Sequence, residues 1–493
     1  MISSNPNKSK LCNWSTFLIA LIAIWVVITL IQISKIHAGY SPVLSDEFGY
    51  YLNSLGFVET NSISAAFTLG PAGSPLLGCD AHGCMYPLLH YGIAKIFGWH
   101  SRSFIYLNMA YIIAMAFMIW RIRFLDTTKK LLLAVGILYF PFYYLYSFSY
   151  MQECMHAFIA FTLGYLLILF SRNTINLSPF YAYTIILFFV GLFRPLWYFW
   201  ICGFVPFVSI AKVRHTLFYV VPAYMAFMLF VTTSFFEPIP NFFSTVTNAL
   251  CAGHVLEAMR LLSLHTMSNV VSYFSFGFSL IVSWSIIYLF INFSIVFFLI
   301  VWIWQAARTR QSIYISLAII NFINLALLFV MYDAFDWRDI RTMSPLMYFN
   351  IVFIVTSLPR IRYAYVMLLI PTFIISYAMS NDRIAERDKP EGTVLEMDGI
   401  KKELSGILEK PVVYLESIPP DFTPWFLAFP LKNDSGMKMH YIAPYYKGIP
   451  MAGDIHYIFT TNKHPRKRLI WQRDKYKLYE NPIGIGNRML LQP

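Results

Sequence analysis

Long apolar stretches separated by short polar ones fill residues 14–380. The first, residues 14–33, follows a polar, basic start carrying Lys8 and Lys10. It is long enough to cross a bilayer core of about 30 Å. A cleaved signal peptide has a shorter apolar region of roughly 7–15 residues, so this stretch reads as a retained first helix. Further apolar stretches follow at residues 103–120, 131–146, 156–170, 180–193, 196–210, 216–235, 285–304, 313–331, 344–358 and 363–380. Together they predict an α-helical polytopic membrane protein of about eleven spans. Residues 273–290 also admit a re-entrant pair.

From about residue 381 charges become frequent and apolar runs shorten. Residues 410–417, 456–461 and 476–480 have the composition of short strands between turn-rich segments, and residues 391–408 that of a helix. The expected division is a membrane domain over residues 1–380, with a prominent first outer loop at 35–102, and a small soluble α/β domain over 381–493.

Charge gives the spans a direction. If the N-terminus is cytoplasmic, the alternation puts Arg121, Arg123, Lys129, Lys130, Arg172, Lys212, Arg214, Arg308, Arg310, Arg360 and Arg362 on the cytoplasmic side, as the positive-inside rule expects. Asp126 is the lone acid of those loops. Asp46, Glu47, Glu59, Asp80, Glu153, Glu237, Glu257, Asp333, Asp336 and Asp339 then fall outside, with the C-terminal domain. This segregation of acids is separate from the rule, which counts Lys and Arg, and points to chemistry on the outer face.

Composition agrees. Hydrophobic residues make up 58% of the 493 and charged residues only 13%, with a mean hydropathy of +0.58, where a soluble chain is nearer a quarter charged. The formal charge of +12 is explained by the cytoplasmic loops without invoking nucleic acid. Six cysteines are too few for a disulfide scaffold.

Four constellations carry candidate chemistry. In Ser45-Asp46-Glu47-Phe48-Gly49-Tyr50-Tyr51, adjacent carboxylates follow the first span. Asp46 is the candidate general base, and Glu47 its neighbour. Ser45 or Asp46 also suits the N-cap of a helix through Leu55. In Cys79-Asp80-Ala81-His82-Gly83-Cys84, Asp80 and His82 are candidates to bind a divalent metal ion together with Asp46, to position an acceptor, or merely to stabilise the loop. Cys79 and Cys84 would face an oxidising compartment, where a disulfide closing that loop is compatible with the spacing. Glu153, at the outer end of the third span, is a second candidate acid or an interfacial carboxylate in headgroup water. Arg194, Arg338 and Arg341 are outer-face arginines whose fork suits phosphate oxygens. Ion pairs with Asp333, Asp336 and Asp339 are the alternative for the last two.

The chain lacks a P-loop, a GxGxxG, an HExxH and a GxSxG motif, and its cytoplasmic loops are too short for a nucleotide-binding domain. A donor used on the outer face would therefore be lipid-linked or already exported.

The first span, the outer-loop Asp46-Glu47 with Tyr50 and Tyr51, Tyr86-Pro87-Leu88-Leu89-His90-Tyr91, and Phe97-Gly98 through Arg102 resemble the GT-C superfamily of integral-membrane glycosyltransferases. Arg194-Pro195 and the Arg338–Pro345 entry to a late span resemble its basic, proline-bearing corners. The resemblance implies a polyprenyl-phosphate sugar donor and a glycan, lipid or protein acceptor, as in lipopolysaccharide or other cell-surface glycan modification. It implies inverting single displacement with Asp46 as base, Glu47 or Glu153 assisting, arginines on the donor phosphate, and Asp80, His82, Tyr50 and Tyr51 positioning the acceptor. The expected location is a bacterial inner membrane with a periplasmic active face, or the endoplasmic reticulum with a lumenal one. The rival class is a polytopic transporter or flippase of lipid-linked or anionic substrates. It predicts charges near the bilayer midplane and inverted repeats, and neither is found in the sequence.

Overall fold

The computed structural model describes residues 6–36, 45–61, 85–99, 103–235, 242–275, 282–331, 337–387, 391–410, 412–416, 434–435, 440–442 and 456–481. In chain order the helices are α1 (Pro6–Lys35), α2 (Ser45–Thr60), α3 (Met85–Phe97), α4 (Ser103–Arg121), α5 (Thr127–Leu138), α6 (Pro141–Ser147), α7 (Glu153–Arg172) and α8 (Ser178–Val190). A 3-10 segment, Pro195–Phe207, precedes α9 (Ala211–Phe235), α10 (Phe242–Cys251), α11 (Val255–Phe274), α12 (Val282–Thr309) and α13 (Ser312–Met331). A second, Trp337–Met343, leads into α14 (Ser344–Ser357), α15 (Arg362–Arg387) and α16 (Glu391–Ile407).

The protein is a polytopic helical membrane protein. The expected count of about eleven spans is corrected downward. Among the described residues seven helices are long and apolar enough to cross a bilayer, or eight if the bent pair α5–α6 is one span. That pair turns by 58° at its break. Pro141 is the cause, because a residue before proline is driven out of the α region, and Phe140 is extended at φ −66°, ψ 128°. The shortfall falls on three shorter segments. Helices α8 and α14 have 13 and 14 residues, about 20 Å at 1.5 Å per residue. The third is the Pro195–Phe207 segment, wound as 3-10 helix. Nearly all of α14 is buried inside the protein, which makes it a core element with little lipid contact. Helices α10 and α11 lie in what was expected to be a plain outer loop.

Contacts sort the element ends into two groups. Ser15 bonds Thr128 at 3.1 Å, Trp14 meets the Tyr363 ring, Lys130 bonds the Trp120 carbonyl at 2.7 Å, and Arg172 lies over Phe124. The start of the first span and the basic loops around residues 121–130, 172 and 360–363 therefore share one end. At the other end Lys35 reaches Asn381 at 2.9 Å, and α2 meets the turn between α6 and α7. The core between them is aromatic, with Tyr139, Phe140, Tyr143, Tyr144 and Tyr348 almost wholly buried. Polar groups inside it are tied together. Asn350 accepts from Trp302 at 2.7 Å and exchanges hydrogen bonds with Asn321 at 2.8 and 3.1 Å.

Helix α15 continues beyond residue 380 to Arg387, and α16 follows it. Strands β1 (Val412–Glu416), β2 (His440–Ile442), β3 (Tyr457–Thr460), β4 (Arg468–Arg473) and β5 (Tyr476–Glu480) form a sheet of order β2-β1-β3-β5-β4. β1 is parallel to β2 and β3, and β5 is antiparallel to β3 and β4. The expected strands correspond to β1, β3 and β5, and the expected helix to α16. β2 and β4 add to them.

Candidate functional site

The site is built on the turn between α6 and α7, which is held from three sides. Asn108 of α4 donates to the carbonyls of Ser147 at 3.0 Å and Ser149 at 3.2 Å. The Tyr86 hydroxyl of α3 donates to Met151 O at 3.1 Å. From α2, Glu47 accepts the Tyr150 backbone N–H at 2.6 Å. The turn thus delivers Glu153 as the first residue of α7, where a carboxylate complements the helix dipole. Glu153 is only 2% exposed.

The step of about 100° between neighbours on α2 gives the adjacent carboxylates two fates. Glu47 points inward and has no exposed surface, so its work is to clamp the turn. Asp46 points the other way and forms an ion pair with Arg341 of the Trp337–Met343 segment. Both side chains keep a minor exposure, 15% for Asp46 and 17% for Arg341. Arg341 is thus paired with the first-loop acid; the side chains of Asp333, Asp336 and Asp339, the other candidates on the sequence, lie outside the described residues. Glu153 lies in the field of Arg341, Arg194 and Asp46.

Tyr50 faces the same four groups. Burial, with Asp46 and Glu153 adding to it against Arg194 and Arg341, holds its hydroxyl far above the usual tyrosine range. It stays a neutral hydrogen-bonding group. Tyr51 turns away into a ring cluster with Tyr150 at 5.5 Å and Trp99 at 5.9 Å, and burial pushes its hydroxyl up to about 12. Its position is that of a packing residue more than of an acceptor contact. His90 packs at a tilt against Tyr150 at 4.2 Å in the same cluster, and burial pushes it down to about 3, so it is neutral.

Arg194 is set by Pro195, which forces it into extended backbone, φ −151° and ψ 106°. Just before it, Gly191 packs so closely on the Tyr198 ring that a Cβ would collide. Arg194 stands at a groove of about 170 Å³. Leu196, Trp197 and Trp200 form one wall, Asn324, Leu327 and Leu328 of α13 another, and Thr342, Met343 and Pro345 the third. Both indole N–H groups are satisfied by side chains: Trp200 donates to Asn324 Oδ1 at 3.1 Å and Trp197 to His156 Nδ1 at 3.2 Å. The groove is therefore mainly hydrocarbon with a guanidinium beside it.

His156 was not among the residues expected from the sequence. Since Trp197 donates to Nδ1, the proton of the neutral ring sits on Nε2, which faces Gln152 Oε1 at 3.0 Å. The signal was its spacing from Glu153, one helical turn less a residue, on an otherwise apolar helix. Asp46, Glu153, Arg194, Arg341 and Tyr50 are thus brought together, whereas Glu47 and Tyr51 serve the scaffold. The Arg338 side chain, Asp80, His82, Cys79 and Cys84 lie outside the described residues. Among the described residues no three His, Cys, Asp or Glu side chains gather as a metal site. No family model and no curated protein matches the chain.

Proposed function

We propose that the protein is an integral-membrane glycosyltransferase of the GT-C type, which moves a sugar from a polyprenyl-phosphate donor to an acceptor hydroxyl. The observation that carries this reading is the hydrocarbon groove beside Arg194, adjoining the Asp46–Arg341 pair and Glu153. An isoprenoid chain suits the groove and its phosphate suits the two guanidiniums. As the C1–O bond to phosphate breaks, the leaving oxygen gathers negative charge, which Arg194 and Arg341 stabilise. The acceptor oxygen bonds C1 from the opposite face and its proton passes to Asp46, inverting the anomeric centre.

In this scheme the donor phosphate draws Arg341 away from Asp46 and frees the oxygen that must take the proton. Glu153 balances the two arginines when no donor is bound. A divalent cation on Asp46, Asp80 and His82 would compete with Arg341 for the same carboxylate, so the two uses of Asp46 alternate. The basic end would face the cytoplasm and the acidic end the periplasm or lumen, where a cell-surface glycan, lipid or protein acceptor is met.

The test is incubation of the protein in proteoliposomes with radiolabelled polyprenyl-phosphate sugars. Transfer of label to an acceptor or to water is expected. Movement of intact donor between leaflets, with no transfer from any such donor, would overturn the reading in favour of a flippase.

A further inference from the structure

The densest run of positive charge along the chain is outside this site, in the C-terminal sheet. Seven of the fifteen residues at 463–477 are Lys or Arg, against one acid, Asp474. They occupy the approach to β4, β4 itself, the β4–β5 turn and the start of β5. β4 is the edge strand of the described sheet. Edge strands often carry cations to prevent pairing with other chains. That explains Arg468 and Arg473, but Lys463, Arg466 and Lys475 are off the strand and exposed.

Two nearby acids offset only part of the patch, through Arg468 and Arg473. Glu480 faces both Lys410 at 3.6 Å and Arg468 at 3.4 Å, and Arg468 remains 79% exposed. Glu403 takes Arg473 at 2.7 Å and the Trp471 indole at 3.0 Å. An apolar component sits among the cations, with Leu469 46% exposed. Cations flanking an exposed leucine and a half-buried tryptophan are suited to lipid headgroups.

The location matches. Only three residues separate the end of α15, which leaves the bilayer, from the start of α16. Along α16, Ile407 is followed by Glu409, whose N–H donates to Tyr457, and by Lys410, which faces Glu480; Gly399 and Glu403, nearer its start, pack on Arg473. β4 therefore runs back along α16, carrying the β4–β5 turn toward the end at which the chain arrives from the membrane.

We infer that the basic β4–β5 hairpin docks the C-terminal domain onto the anionic phospholipid surface of the membrane in which the protein sits. The inference is independent of the glycosyl-transfer reading.

The test is hydrogen–deuterium exchange on the full chain in nanodiscs, comparing phosphatidylcholine with phosphatidylglycerol mixtures. Amides of residues 463–475 should exchange at least severalfold more slowly in the anionic discs, and molar salt should remove the difference. A K463E/R466E/K475E variant should lose the effect while β3 amides keep their protection, which shows that the sheet is still folded. Equal exchange in both lipids would overturn the inference. So would slowing by a soluble phosphorylated oligosaccharide in phosphatidylcholine discs, which would assign the patch to an anionic glycan.

Discussion

Replacing Asp46 with Asn should push binding and turnover in opposite directions. Asp46 and Arg341 are contact partners with 15% and 17% of their side-chain surface exposed. A hydrogen bond to a charged group in such a setting contributes about 1.5–3 kcal/mol. Under the proposed mechanism a donor phosphate must displace Asp46 from Arg341 before it gains that guanidinium. The neutral amide retains a weaker hydrogen bond, so most of the competition disappears. Affinity for polyprenyl phosphate itself, without sugar, should rise roughly 10–100-fold, since each 1.4 kcal/mol is a factor of ten. Sugar transfer should fall about 10²–10⁴-fold for loss of a general base. Binding can be followed by competition against a fluorescent isoprenoid phosphate, and transfer by radiolabel, on protein whose melting temperature is unchanged. Weaker or equal phosphate binding would refute the competition, and near-normal transfer would refute Asp46 as base.

Other consequences concern the frame around the site. Glu47→Ala should cost about 1–3 kcal/mol of stability, because it strands the buried Tyr150 N–H; a lowered melting temperature would be the readout. Asn350→Leu should destabilise by a similar amount, about 1–3 kcal/mol, since the fully buried Trp302 loses its acceptor at 2.7 Å and Asn321 its partner. Asp126 caps α5 through Lys129 N at 2.8 Å. Burial opposes its charge, but the hydrogen bonds and charge of Lys129 outweigh it and hold the carboxyl below the usual aspartate range. Its stabilisation is therefore present above the ordinary aspartate value and lost as pH falls through the lowered one. The melting-temperature gap between wild type and Asp126→Ala should close at low pH. A gap independent of pH would exclude the carboxylate.

Much of this arrangement was legible in the chain. The two groups of loops follow from charge alone, because a lipid-spanning segment must keep its ions at its ends. Glu153, Arg194 and Arg341 were each marked by a charge placed near the end of an apolar run, and Asp46 by an adjacent acid pair in the loop after the first one. Their mutual pairing was not. Positions 46 and 341 are brought together only by packing, so Asp333, Asp336 and Asp339 were the nearer candidates on the sequence. The opposite directions of Asp46 and Glu47 were also hidden, since neighbours on a helix differ by about 100° and burial decides which one turns inward. Span counting failed where hydropathy is blind to length as built. The α8, 195–207 and α14 stretches have the apolarity of spans, but a proline corner, 3-10 winding or enclosure by other helices limits what each can cross.

The hydrogen bond from Tyr150 to Glu47 has a mechanical meaning. It lies one residue from Asp46 on one chain segment and three from Glu153 on the other, so the spacing of the two candidate carboxylates is inherited from this buried tie. That tie is reinforced by Tyr86 and Asn108. The acids form a fixed jaw. The arginines are differently mounted, Arg194 on extended backbone at a proline corner and Arg341 on a short 3-10 turn. Any closure around a bound anion must then come from the guanidinium side, with the carboxylates as the anvil against which it is measured.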